Sequence, residues 1–121
     1  MIFDLLNDNN LQSIDSRGVF QFYPMVNLWW DIQTALRARL KLVHLTAEPI
    51  SVANVSQLAF GKPFSQISAI QPAIYDFRTR YSAIFGANGN YQYSQRETVQ
   101  AVRAYAQSEP KAIPFQGGPG A

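Results

Sequence analysis

The chain has 121 residues, with ten basic and eight acidic side chains and no cysteine. That length suits one compact domain or a piece of a larger one, and the missing cysteines exclude disulfides and thiolate catalysis. The pI of 9.1 rests on an excess of only two charges, short of the broad basic stripe that nucleic-acid binding needs.

Hydrophobic residues make up 47% and aromatics 13%, enough for a core. Charged residues are 15%, below the roughly 25% of soluble domains. This fits a chain that buries part of its surface against a partner, and it equally fits an ordinary apolar domain. No run approaches the ~18 apolar residues of a membrane span, and no signal pattern opens the chain. The default compartment is cytoplasmic.

In chain order, residues 2–6 (IFDLL) are apolar and 7–10 (NDNN) break the run. They read as the last turns of a helix that begins before this chain. Residues 19–23 (VFQFY), between Gly18 and Pro24, read as a short buried strand. Leu28, Ile32, Ala35 or Leu36, and Leu40 recur at helical spacing, which predicts a helix over 25–39. Trp29 and Trp30 stand about 100° apart on it and cannot both centre on one narrow stripe. Either the buried face is wide or one Trp meets a second domain or subunit. Arg37, Arg39 and Lys41 are the densest basic cluster, placed to complement a helix C-terminus.

Residues 42–46 (LVHLT) predict a second strand. Ser51 is placed to cap a helix through Leu58, with Gly61 as its stop. Residues 61–72 read as a loop, Thr79 as the cap of a short helix ending at Gly86, and 87–90 as a turn. Ser94-Gln95-Arg96-Glu97 has the pattern of a capping box and opens a helix through about Ala106. From Ser108 onward the composition turns to Pro, Gly and Lys, as in a mobile tail. The domain is therefore set at 1–107 and the tail at 108–121.

The chemistry is largely negative. There is one histidine, so no His-rich metal site forms, and the carboxylates show no metal-ligand spacing. No Gly-x-Ser-x-Gly elbow occurs, and no Gly-rich phosphate loop follows either predicted strand. A junction where strand turns into helix is where open α/β folds bind ligands, and RGVFQFYPMVNLWWDIQTAL, residues 17–36, holds one at Tyr23.

That segment resembles the Arg-Asp-Phe-Val-Tyr/His-Val-Asp-Asp-Val/Leu segment and following helix of the extended short-chain dehydrogenases/reductases. This is the family of the NAD(P)-dependent nucleotide-sugar epimerases and dehydratases. LVHLTAEPISVANVSQLAFG is similar to its Asn-Leu-Gly-(Ser/Thr)-Gly-Glu-Pro-x-Ser-x-x-Glu-Leu segment. YDFRTRYSAIFG is similar to its Asp-x-(Ser/Thr)-Lys helix, and YQYSQRETVQAVRAYAQ to its closing helix. The four stretches keep family order up to about Gln107 and correspond to its C-terminal half. The Gly-x-x-Gly-x-x-Gly fingerprint is missing from these residues, and none of the six tyrosines has Lys four residues on.

The resemblance implies a small α/β substrate-side unit with two or three short strands and about four helices, without a complete Rossmann sheet. It implies a nucleotide-sugar or related ligand, no cofactor bound by this chain, and NAD or NADP on a parent protein whose Rossmann domain is the partner. By position, Arg17 matches an arginine that often contacts the nucleotide diphosphate; otherwise it is a surface residue tied to its loop. His44 stands where the family has Asn, near substrate, or else is a satisfied core residue, the outcome favoured for a lone His in an apolar strand. Arg80 matches the family's Lys, or is a helix-surface charge. Tyr23 and Pro24 replace two acidic residues, and Thr46-Ala47-Glu48 stands for the Gly-(Ser/Thr)-Gly turn. The substrate-binding set is thus Arg17, Tyr23, His44 and Arg80, with no catalytic or metal residue. The competing expectation is a non-enzymatic interaction or oligomerisation module, such as a homodimer, that uses its apolar face.

Overall fold

A computed structural model describes residues 1–68 and 71–108. Of the tail expected over 108–121, Ser108 instead closes a helix, and residues 109–121, with two residues of the 61–72 loop, lie outside the described residues.

Two helices build the centre. α3 (Val52–Phe60) starts where the Ser51 hydroxyl accepts the Asn54 backbone N–H at 3.1 Å, and it stops at Gly61, whose φ is +66°. Helix α4 (Gln95–Ser108) opens on a reciprocal capping box. The Ser94 hydroxyl accepts from Glu97 N–H at 3.1 Å, and the Glu97 carboxylate accepts from Ser94 N–H at 3.0 Å. The apolar spacing of both helices turns Val52, Val55, Val99 and Val102 inward, and the helices pack on each other. Leu5 of α1 (Ile2–Leu6), Ile14, Ile50 and Ala59 complete this core. Phe20, Phe22, Phe60 and Phe64 cover its edges.

Beside the helices lies a minimal sheet. β1 (Val19–Phe20) runs antiparallel to β2 (Ile50–Ser51), pairing Val19 with Ser51 and Phe20 with Ile50. Val19 also bridges Ile74 in parallel. The strand predicted over 19–23 is thus shorter than its apolar run, because side chains rather than a ladder hold its far end. Residues 42–46 are not a strand. The run bonds its neighbour only at its carboxyl end, where Gln92 N–H donates to Thr46 O and Ala47 bridges Tyr93. Upstream of that point Leu42 and His44 are exposed.

The helix predicted over 25–39 exists as a 3₁₀ turn (Met25–Asn27) leading into α2 (Leu28–Arg37). Its orientation reverses the expectation. Asp31 and Ala35 are the buried residues, and none of its apolar side chains joins the core. Trp29 and Trp30 are 64% and 65% exposed and Leu36 68%, so the wide buried face is ruled out. The short helix expected after Thr79 is a single 3₁₀ turn (Ser82–Phe85). It ends at Gly86, and Thr79 bonds Tyr81 N–H instead of capping it.

The described residues form a small mixed α/β domain with four α-helices and a two-stranded antiparallel sheet. None of the described helices is long and apolar enough to cross a membrane. Ile50→Ala is expected to lower unfolding free energy by about 3 kcal/mol, because it opens a cavity beside α3. Leu36→Ala should change it by less than about 0.5 kcal/mol. Urea denaturation of the two variants checks this, and equal losses would mean that α2 packs with its apolar stripe inward.

Candidate functional site

The reversed seating of α2 has a local cause. Asp31 projects inward, and one of its carboxylate oxygens accepts hydrogen bonds from two phenols, Tyr23 Oη and Tyr93 Oη, the latter at 2.7 Å. The two rings meet edge to face at 5.6 Å. A carboxylate has several acceptor sites and no donor, so a pair of O–H groups suits it in a setting where water is scarce. Burial, and then the bond to Asp31, pushes Tyr93 up to about 12 and Tyr23 higher still. Phenols held protonated in this way are donors, not bases, at neutral pH.

Tyr23 also forms one wall of a cleft. Gln21 sets the other walls, because its amide bridges three backbone groups. It donates to Ala47 O at 2.9 Å and to Phe77 O at 2.6 Å, and it accepts from Phe77 N–H at 2.7 Å. The space so framed is a cleft of about 490 Å³ lined by Gln21, Tyr23, His44, Thr46, Ala47 and Phe77. Behind it, the Thr46 hydroxyl and the Gln92 amide nitrogen are buried without a hydrogen-bond partner among the described residues.

His44 opens onto a second cleft as well. This one is about 730 Å³, lined among others by Arg39, Lys41, Arg78, Thr79 and Arg80. The first pair leaves the end of α2, and the others come from the segment before the Ser82–Phe85 turn. Arg78 is neutralised by Asp76 at 2.9 Å, and Arg80 lies 5.9 Å from the Tyr81 ring centre.

Of the four residues expected to bind substrate, Tyr23 lines the first cleft, Arg80 the second, and His44 both. Arg17 lines neither. Its guanidinium is bonded to Asp15 at 2.9 and 3.1 Å and to Ser68 O at 3.3 Å. The bonded Arg17 side chain holds the Asp15 carboxyl far below the usual carboxylate range. Arg17 here ties its own loop to residue 68. His44, favoured as a core residue from its apolar neighbours, is exposed, because the run that carries it lies on the surface. No group of three metal-ligating side chains occurs among the described residues.

Gln21, Asp31 and Tyr93 were not singled out from the sequence. One signal was present: Asp31 is the only charged residue between Met25 and Leu36, and a lone acid in an apolar helix asks for a buried partner.

The raised phenols give a pH signature. Below the ordinary tyrosine value of 10.0 their neutral form is present folded and unfolded, and the stabilisation is complete. It is expected to fall as pH rises past 10 and through the folded value of about 12 for Tyr93. Ultraviolet titration should show this late step. Tyr93→Phe should remove the Tyr93 part of it and cost about 1–3 kcal/mol at neutral pH, since Asp31 loses a donor. A Tyr93 that ionises at 10.0 would rule the network out. No family model, curated protein or solved structure matches the chain.

Proposed function

We propose that this chain is a binding unit for a nucleotide-sugar-like small molecule, the substrate-side portion of an NAD(P)-dependent epimerase/dehydratase-like oxidoreductase. The carrying observation is the position of His44, where a basic cleft meets one walled by an amide, a phenol and an aromatic ring. Phosphates favour guanidinium and ammonium groups. Sugar hydroxyls and a base favour amides and ring faces, with a few polar groups fixing orientation. The NAD(P) and the catalytic pair belong, on this reading, to a Rossmann domain that seats on α2.

The test is a thermal-shift titration of the chain with nucleoside-diphosphate sugars, with NAD and NADP alongside. A sugar nucleotide at about 100 times Kd is expected to add ~2.7 kcal/mol to stability, and the dinucleotides at the same concentration less. His44→Ala should weaken the effect without lowering the unliganded Tm. No shift with any sugar nucleotide would remove this reading.

A second reading has its own observation. From Met25 to Leu36 the outward surface of the chain carries no charge, while Met25, Val26, Trp29, Trp30 and Leu36 are all exposed. Contiguous apolar patches of this kind mark interaction surfaces. An interaction or oligomerisation module would use this face. Light scattering should then show self-association that Trp29→Glu abolishes, and a strict monomer at high concentration would count against it.

A further inference from the structure

The basic cleft carries more than the reading above requires. Ten residues of the whole chain are Lys or Arg, and Arg39, Lys41, Arg78 and Arg80 line this one space with no carboxylate among its lining residues. Arg78 has its partner in Asp76. Among the described residues, Arg39, Lys41 and Arg80 have no acidic group within ion-pair distance. Helix-dipole complementation explains basic residues at the end of α2. It does not explain Arg80, which arrives from forty residues further on and adds like charge to the same hollow.

The backbone at Arg39 adds a second observation. α2 ends in a Schellman arrangement: Arg39 N–H donates to Leu36 O at 3.0 Å and Leu40 N–H to Ala35 O at 3.1 Å. The residue at the turn has φ +58°, the left-handed region that glycine fills without strain. Here it is filled by an arginine that lines the cleft. Strain of this kind at a site lining a cavity is a reason to ask what the side chain does there.

We infer that this cleft is a diphosphate site, with Arg39, Lys41 and Arg80 gripping the phosphate oxygens and His44 at its border with the Tyr23 cleft. The inference rests on reading the two clefts as one ligand site, and it fixes which end of the ligand lies where. The diphosphate sits at the α2 terminus and not at Arg17, whose fork is already bonded to Asp15 and Ser68. The uncharged end lies along Gln21, Tyr23 and Phe77. Guanidinium groups from two segments can take adjacent phosphates in paired hydrogen bonds, and Lys41 adds a point charge.

Inorganic pyrophosphate is the probe, titrated calorimetrically into the full chain at two ionic strengths. Binding should weaken with salt and fall roughly tenfold in each of Arg80→Gln and Lys41→Gln. Arg96→Gln on α4 makes the same charge change away from the cleft and should leave it unaltered. Arg39→Gly separates binding from folding, because it should weaken pyrophosphate while raising Tm through relief of the left-handed arginine. Pyrophosphate binding that all three cleft variants leave intact would overturn the site, as would no binding at low salt. If pyrophosphate binds in this pattern and no nucleoside-diphosphate sugar does, the diphosphate site stands and the sugar-nucleotide reading falls. If a sugar nucleotide binds equally to wild type and to Arg39→Gly/Arg80→Gln, the reverse holds. Tighter binding to longer single-stranded oligonucleotides than to pyrophosphate would also overturn it, in favour of a polyanion surface.

Discussion

The seating of one carboxylate organises this molecule. Asp31 is buried at 8% exposure and takes hydrogen bonds from Tyr23 and Tyr93, which come from distant parts of the chain. A buried carboxylate that loses its donors is far more costly than an exposed one. The helix that carries it therefore cannot rotate to bury its apolar stripe without stranding the charge. The hydrophobic gain available to Leu36 and the two tryptophans is a few kcal/mol, and turning them inward would uncouple the network. The result is a helix held by its polar face, with its apolar face turned outward.

That arrangement divides the surface by chemistry. The start and middle of α2 present an uncharged apolar band, whereas its end delivers Arg39 and Lys41 to a hollow shared with Arg80. A partner domain and an anionic ligand would thus meet opposite ends of the same short helix. The Tyr23 cleft lies beside them, and its width is set by the three bonds of Gln21. A ligand spanning both clefts would depend on two independent features, an amide that spaces the walls and a cation group that draws phosphate.

What the sequence made legible follows from how local the determining interactions are. The capping box at Ser94 and Glu97, the Ser51 cap and the Gly61 stop depend on neighbours within a turn, and each stands as read. The inward faces of α3 and α4 follow from simple spacing. The orientation of α2 was not legible, because spacing counts apolar residues and cannot weigh one acid that finds two phenols from residues 23 and 93. The strand expected at 42–46 failed for a related reason. Its composition is strand-like, but a ladder needs a partner, and the partner arrives only at Thr46 and Ala47. Tyr23 and Arg80, named through a family resemblance, line two different clefts, and His44 borders both. Arg17 was drawn away by an aspartate two residues before it, a contact that a motif comparison does not register.

The sheet is the other feature with a wider consequence. Two residues per strand give β1 and β2 a short ladder, so the join between the α3–α4 core and the cleft walls rests on scattered backbone bonds, such as Gln92 N–H to Thr46 O and Glu48 N–H to Tyr93 O, together with the Gln21 amide. Opening that join exposes little apolar surface, since α2 contributes nothing to the core cluster. In hydrogen-exchange terms, the α3–α4 core is expected to be the slowly exchanging unit. α2 and the cleft walls are expected to open as a separate unit at lower energy, since α2 adds no residue to the core cluster. A ligand or partner that stitches the two together would then register first as slowed exchange along α2, before any change in the global melting of the core.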